Sequence, residues 1–231
     1  MLMSPMCYVL SVLTVVFAVA CVLNRRKGKS FEGMLCKFMA SFGFISVAVV
    51  GYCSAPHDEW YFFLVLFALM FGFFGDVLLG IKEIAPLFRP KLIPLGTIYF
   101  LVSHIFYLAA FITQGGFNVI PLIVGLAGGV FIYFMMPVFK MKVDGKMRIL
   151  MTVYCSLLVY KVAASGMLVF TNPTKAYILA LAGSILFLIS DTCLSFLYFA
   201  PVKRKNVLVT IELSTYYPAQ ILLAMSVALM G

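Results

Sequence analysis

The sequence predicts an all-α, polytopic membrane bundle of eight transmembrane helices, folded as a single integral-membrane domain over residues 1–231. Three observations predict it. Hydrophobic residues make up 64% of the chain and charged residues only 11%, with a mean hydropathy of +1.11. Soluble domains run about 45–50% apolar and about 25% charged, so a water-soluble globule of this length could not hide its apolar surface. The apolar residues also gather into runs near 5–23, 36–53, 60–81, 94–113, 117–139, 148–170, 176–199 and 207–230, each close to the ~20 residues that a spanning helix needs. None of these runs alternates with period 2, which excludes a β-barrel.

Taken in order, the first run contains Ala18-Val19-Ala20, which resembles a cleavage site. A signal peptide carries its cations before the apolar core, whereas Arg25, Arg26, Lys27 and Lys29 follow it here, so the segment reads as a retained first helix. The second and third runs are joined by a loop with His57, Asp58 and Glu59. Lys82, Arg89 and Lys91 separate the third from the fourth, Lys140, Lys142, Lys146 and Arg148 the fifth from the sixth, and Lys203, Arg204 and Lys205 the seventh from the eighth. The odd loops thus hold 14 cations and the even loops only Lys175. The positive-inside rule places the odd loops in the cytoplasm and both termini outside. The net charge of +9 is then a topology signal, and no nucleic-acid partner is expected. Gly125 and Gly129 in the fifth run form a GxxxG step, most simply a helix-packing face; it permits a homodimer without requiring one.

Several chemistries are excluded. The six cysteines (7, 21, 36, 53, 155 and 193) are scattered, with no CxxC pair, and read as small buried hydrophobes. HExxH, GxSxG and P-loop motifs are absent, which removes zincin, α/β-hydrolase and P-loop sites. Neither a metal nor a cofactor is expected.

What is left is a set of polar residues inside the spans, costly there and functional candidates by default. They are Lys37, Asp76, His104, Lys161, Asp191 and Glu212. Counted along the helix rise, Asp76 lies ~8 Å from the basic end of its span, Glu212 ~8 Å, Tyr154 ~9 Å, Asp191 ~12 Å and His104 ~15 Å. They come from different helices and fall toward one leaflet. A structural ion pair with Lys37 or Lys161 is the plain alternative reading of each aspartate. Gly96, Phe100, His104 and Tyr107 form one helical stripe, Gly183, Phe187, Asp191 and Ser195 a second, and Glu212, Tyr216 and Gln220 a third, which together point to a shared cavity.

The spacing also hints at a 4+4 parallel repeat. Asp76 and Asp191 are 115 residues apart, His104 and Gln220 116, and Lys37 and Tyr154 117. Two halves of four spans share one orientation, related by an axis along the membrane normal. The two aspartates would then face each other, and adjacent carboxyls in a dry site share one proton rather than both ionise, giving a general acid beside a general base.

Together, Gly75-Asp76-x-x-Leu79, Gly96-xxx-Phe100-xxx-His104-xx-Tyr107, Ser190-Asp191-x-x-Leu194 and Tyr216-Tyr217-x-Ala219-Gln220 resemble the YhhN family of lysoplasmalogenases over most of the chain. The family often has Lys-Pro near the start of span two, where Lys37 is followed here by Phe38. The resemblance implies hydrolysis of the vinyl-ether bond of a lysoplasmalogen to a fatty aldehyde and glycerophosphoethanolamine or glycerophosphocholine. The catalytic residues would be Asp76, Asp191 and His104. Lys37, Tyr107, Tyr154, Ser190, Glu212, Tyr216, Tyr217 and Gln220 would bind substrate, with Lys37, Arg25 or Arg26 receiving the phosphate. The expected setting is a bacterial cytoplasmic membrane, the expected partners a lysophospholipid substrate and membrane lipid. A small proton-coupled transporter and a non-catalytic lipid-binding protein are the alternatives.

Overall fold

In the computed structural model, residues 4–54 and 58–230 are described, and they form eight α-helices. These are α1 (Pro5–Arg26), α2 (Ser30–Cys53), α3 (Glu59–Ile84), α4 (Arg89–Gly115), α5 (Val119–Val138), α6 (Gly145–Thr171), α7 (Lys175–Phe199) and α8 (Lys205–Val227), with a 3-10 turn at Pro86–Phe88 before α4. All eight are long and apolar enough to cross a membrane, and no strand occurs among the described residues. His57 lies outside the described residues.

The spans match the apolar runs, and all but α5 and α7 extend further at the basic end. Helix α3 continues through Lys82 and Glu83 to Ile84, and α4 begins at Arg89 with Pro90 in its first turn. Hydropathy stops where charge begins, but a helix does not: a proline is tolerated in the first turn, and charged stems extend along the helix toward water. Asp76 consequently lies eight residues from the end of α3, ~12 Å rather than ~8 Å. His104 lies fifteen residues into α4, ~22 Å rather than ~15 Å. The polar groups form a column reaching from the basic end toward mid-bundle, not a single thin layer.

At the opposite end the odd helices start on side-chain caps. Ser4 accepts from Met6 N–H, Asp58 from Tyr61 N–H, Asn118 from Ile120 N–H and Thr174 from Tyr177 N–H. Each satisfies an N–H that has no partner within the helix. The tight α1–α2 turn needs Gly28, at φ +72, and α4 stops at Gly116, at φ +73, both left-handed conformations open to glycine at no steric cost.

Six helices close into a ring in the order α2, α3, α4, α6, α7, α8, with α8 returning to α2 and also touching α3. Helix α1 lies outside against α2 and α8, and α5 lies outside against α6 alone. Exchanging the two halves of the chain leaves the ring order unchanged. The outer helices break that equivalence, because α1 reaches α8 whereas α5 does not reach α4. The α5–α6 seam uses both glycines of the GxxxG step: a Cβ on Gly129 would meet Ser156 Oγ at 1.8 Å, and one on Gly125 would meet the Ser156 carbonyl at 2.8 Å. Small residues let two backbones approach closely where lipid offers no hydrophobic drive. The ring interior holds the main core, from Phe44, Val65 and Leu69 to Phe187 and Leu223. Outward residues such as Val12, Phe42, Phe131, Phe134 and Phe170 stay exposed, as a lipid-facing surface requires.

Candidate functional site

Two carboxyl groups stand at equal depth inside the ring. Asp76 is eight residues from the end of α3 and Asp191 eight residues from the end of α7. Asp76 is 1% exposed and Asp191 4%.

Asp76 is saturated with donors. Lys37 Nζ on α2 lies 2.9 Å from Oδ1. Ser41 Oγ, one turn further along α2, donates to Oδ2 at 2.6 Å, and Tyr216 Oη on α8 donates to the same oxygen at 2.6 Å. Behind Tyr216, Gln220 Nε2 donates to the tyrosine oxygen at 3.1 Å, and Tyr107 Oη on α4 donates to Gln220 Oε1 at 2.7 Å. The close approach of α3 depends on Gly72, where a Cβ would meet Gln220 Nε2 at 2.8 Å. A buried ion pair persists only when its other hydrogen-bonding sites are filled as well, and here they are.

Asp191 has a different shell. Tyr154 Oη on α6 donates to Oδ2, and His104 Nε2 on α4 lies 3.5 Å from that oxygen and 3.1 Å from Tyr154 Oη. Lys161 Nζ, two turns along α6 from Tyr154, reaches the other face of the imidazole, 3.2 Å from His104 Nδ1. Both ring nitrogens of His104 are therefore occupied, Nδ1 by Lys161 and Nε2 by Tyr154 and Asp191. Lys161 is fully buried and packs over the Phe187 ring at 4.0 Å and the Tyr107 ring at 5.0 Å. Both contacts of Asp191 fall on Oδ2; Oδ1 makes no hydrogen bond among the described residues.

The two stations are not bonded to each other. Phe187 packs against His104 at 4.7 Å and against Tyr216 at 5.4 Å, and Phe100 completes an edge-on aromatic cluster with both Phe187 and Tyr216. Each aspartate therefore has its own hydrogen-bond partners.

Access differs as well. A narrow cleft runs along α7 past Asp191, Leu194, Ser195 and Tyr198, with Thr97 and Phe100 of α4 opposite. A second reaches Asp191 from the α5 side past Ile132, Leu158 and Leu188. Asp76 lines neither. At the basic end of the first cleft, Lys82 Nζ sits 4.4 Å above the Tyr198 ring and pairs with Glu83, which Arg25 also contacts at 2.8 Å.

A model of the YhhN family matches residues 33–227, nearly the whole chain. The chain belongs to the YhhN family. No curated protein and no solved structure matches it. The YhhN match includes every candidate residue from Lys37 to Gln220, whereas Arg25 and Arg26 fall before it.

Within this YhhN chain the structure brings Asp76, Lys37, Tyr216, Gln220 and Tyr107 into one network and Asp191, His104 and Tyr154 into another. Lys37 is buried with its ammonium on Asp76 rather than at a headgroup position. Tyr217 points to α2, donating to the Lys37 carbonyl at 3.3 Å. Glu212 is 3% exposed with Oε2 unbonded among the described residues, and Ser190 Oγ, beside Asp191, is likewise buried and unbonded. Arg26 bonds Thr210 at 2.5 Å. Ser41 enters without having been named from the sequence, and Lys161, named there as a candidate without a role, enters beside His104. Ser41 follows Lys37 by four residues and Lys161 follows Tyr154 by seven, so the same-face spacing that marked the other stripes carried both signals.

Proposed function

We propose that this YhhN protein hydrolyses the vinyl-ether bond of a lysoplasmalogen, with Asp191 as the proton donor. The observation that carries this reading is a buried carboxyl with one oxygen held by Tyr154 and His104, the other unbonded, at the meeting of two clefts. Family membership supports the same reaction class.

The chemistry follows from the bond. Asp191 Oδ1 delivers a proton to the vinyl carbon distant from the ether oxygen. The double-bond electrons form the new C–H bond, leaving an oxocarbenium ion on the carbon attached to oxygen. The aspartate left behind is an anion beside that cation, as in the carboxylate pair of a glycosidase. Water adds to the cationic carbon and loses a proton to Asp191 Oδ1, which restores the acid, while Tyr154 and His104 hold Oδ2. The resulting hemiacetal gives up its hydroxyl proton, the bond to the glycerol oxygen breaks, and that oxygen takes a proton. Vinyl ether and water become a fatty aldehyde and a glycerophosphodiester. Asp76, compensated by Lys37, is a fixed group that orients Tyr216 rather than a second acid.

The test is aldehyde release by the purified protein from lysoplasmenyl-ethanolamine, run beside the saturated alkyl-ether analogue. Aldehyde from the first and none from the second is the expected result. No aldehyde from a monodisperse, lipid-supplemented sample would overturn the assignment.

A further inference from the structure

Helix α5 stands apart from the ring. It packs on α6 alone, and only its basic end reaches α7, where Phe139 lies 5.2 Å from Phe196. Further in, between Ile132 on α5 and Leu188 and Thr192 on α7, the two helices are separated by the second cleft. Thr192 is exposed at its mouth, its hydroxyl satisfied within its own helix by the Leu188 carbonyl at 2.7 Å. The interior is apolar, and its inner end is Asp191.

The position of this cleft relative to the first is informative. The two share Met151, Cys155, Asp191 and Ser195, so they join at the carboxyl group. From there the first cleft follows α7 to Tyr198, ~10 Å toward the basic end on the helix rise, and ends beneath the Lys82 ammonium. The second runs beside α7 from Phe196 as well, and its far part reaches Leu158 on α6 and Leu188 on α7. Both residues lie deeper in the bundle than Asp191 and Tyr154. The first cleft thus ends at Tyr198, the ring that carries the Lys82 ammonium on its outer face, and the second is apolar and extends past Asp191 toward the middle of the bundle. The wall between α5, α6 and α7 is a separate cluster rich in methionine, with Met136, Met141, Met147 and Met151. Unbranched thioether side chains repack around occupants of differing shape.

From this placement we propose that the cleft between α5, α6 and α7 is the binding site for the single hydrocarbon chain of a lysophospholipid. The chain enters sideways from the bilayer past Thr192. Its phosphate lies in the first cleft near Lys82, and the bond next to the glycerol lies at Asp191. One apolar cleft meets Asp191 from this side, which suits a lipid with one chain. The inference rests on the proposed reaction for its chemistry, but the chain site is testable without turnover.

Two experiments on the full-length protein in lipid nanodiscs test it. In the first, a saturated alkyl-ether lysophospholipid with a diazirine at its chain end is photolysed with the protein. Adducts are expected on the α5–α6–α7 cleft, at Ile132, Leu158 or Leu188, and unlabelled alkyl-ether lysophospholipid should compete them away. Adducts confined to the outer faces of other helices, or unaffected by competitor, would overturn the proposal. In the second, Thr192→Trp narrows the mouth. Excluding several methylenes from the cleft should raise KM for a long-chain vinyl-ether lysolipid about tenfold relative to a short-chain one, while Ile123→Trp, on the lipid face of α5, leaves the ratio unchanged. An unchanged ratio in Thr192→Trp would overturn it. Competed labelling without any vinyl-ether turnover would sink the proposed reaction and keep the chain site. Turnover with labelling elsewhere would do the reverse.

Discussion

Asp76 and Asp191 share a residue type, a depth and a distance from their helix ends, yet their partners make them chemically different groups. Asp76 has three donors, one of them an ammonium at 2.9 Å. Asp191 has a tyrosine and an imidazole on one oxygen and open space by the other. The sequence showed both as intramembrane carboxyls and the resemblance made both catalytic. It could not separate them, because the distinction lies in partners that come from α2 and α8 in one case and from α4 and α6 in the other. His104 is similar: its helical stripe and Lys161 were both visible, but not that Lys161 meets its Nδ1. Lys161→Met should therefore lower kcat while KM changes little, since Lys161 acts on His104 and lines neither cleft. A pure rise in KM would instead make Lys161 a substrate-binding group.

At the scale of elements, the Lys37–Asp76 pair joins α2 to α3, and Tyr216 joins both to α8. Removing one partner of a buried pair leaves an uncompensated charge, at a cost of about 3–5 kcal/mol, whereas replacing both is often neutral. Asp76→Asn should accordingly depress the melting temperature strongly, and Lys37→Met/Asp76→Asn should recover much of the loss. A double variant no more stable than Asp76→Asn would contradict that account. At the opposite end, Asp58 caps α3 and also accepts from Gln114 Nε2 at 2.8 Å, fastening α3 to α4. The Tyr61 backbone N–H holds the Asp58 carboxyl below its usual range, with Gln114 adding to the effect. A carboxyl lowered in the folded state stabilises fully above its unfolded-state value of ~3.9 and loses that contribution as pH falls through the folded value. Asp58→Ala should cost about 1 kcal/mol at neutral pH, and the gap to wild type in thermal melts should close in strong acid. A gap that persists unchanged from neutral pH to strong acid would rule out the charged cap. The basic end of α3 was hard to read from hydropathy, because Lys82 marks where the helix leaves the hydrocarbon rather than where it stops.

On the scale of the whole molecule, the number and order of spans were legible because a bilayer demands long apolar runs, and no other constraint writes so plainly into sequence. The ring of six helices with α1 and α5 outside was not. Ring closure depends on which faces meet, and the apolar exterior and apolar core of a membrane bundle look alike in composition. Of the equally spaced pairs, Lys37 and Tyr154 each contact one aspartate, whereas His104 meets Asp191 and Gln220 meets Tyr216 rather than Asp76. Each aspartate accepts from a residue on α2 or its counterpart α6, and each has a second partner on α8 or its counterpart α4. The near-symmetry ends at α5, and the gap it leaves is the cleft that opens on Asp191. The account as a whole therefore turns on carbon protonation by that one carboxyl. The most direct measurement is turnover of a lysoplasmalogen in D2O by wild type and by Asp191→Asn, with the aldehyde reduced as it forms and analysed by mass. The account predicts one deuterium on the carbon next to the former carbonyl for wild type and no product for the variant. Product lacking that deuterium, or near-normal turnover by well-folded Asp191→Asn, would contradict it.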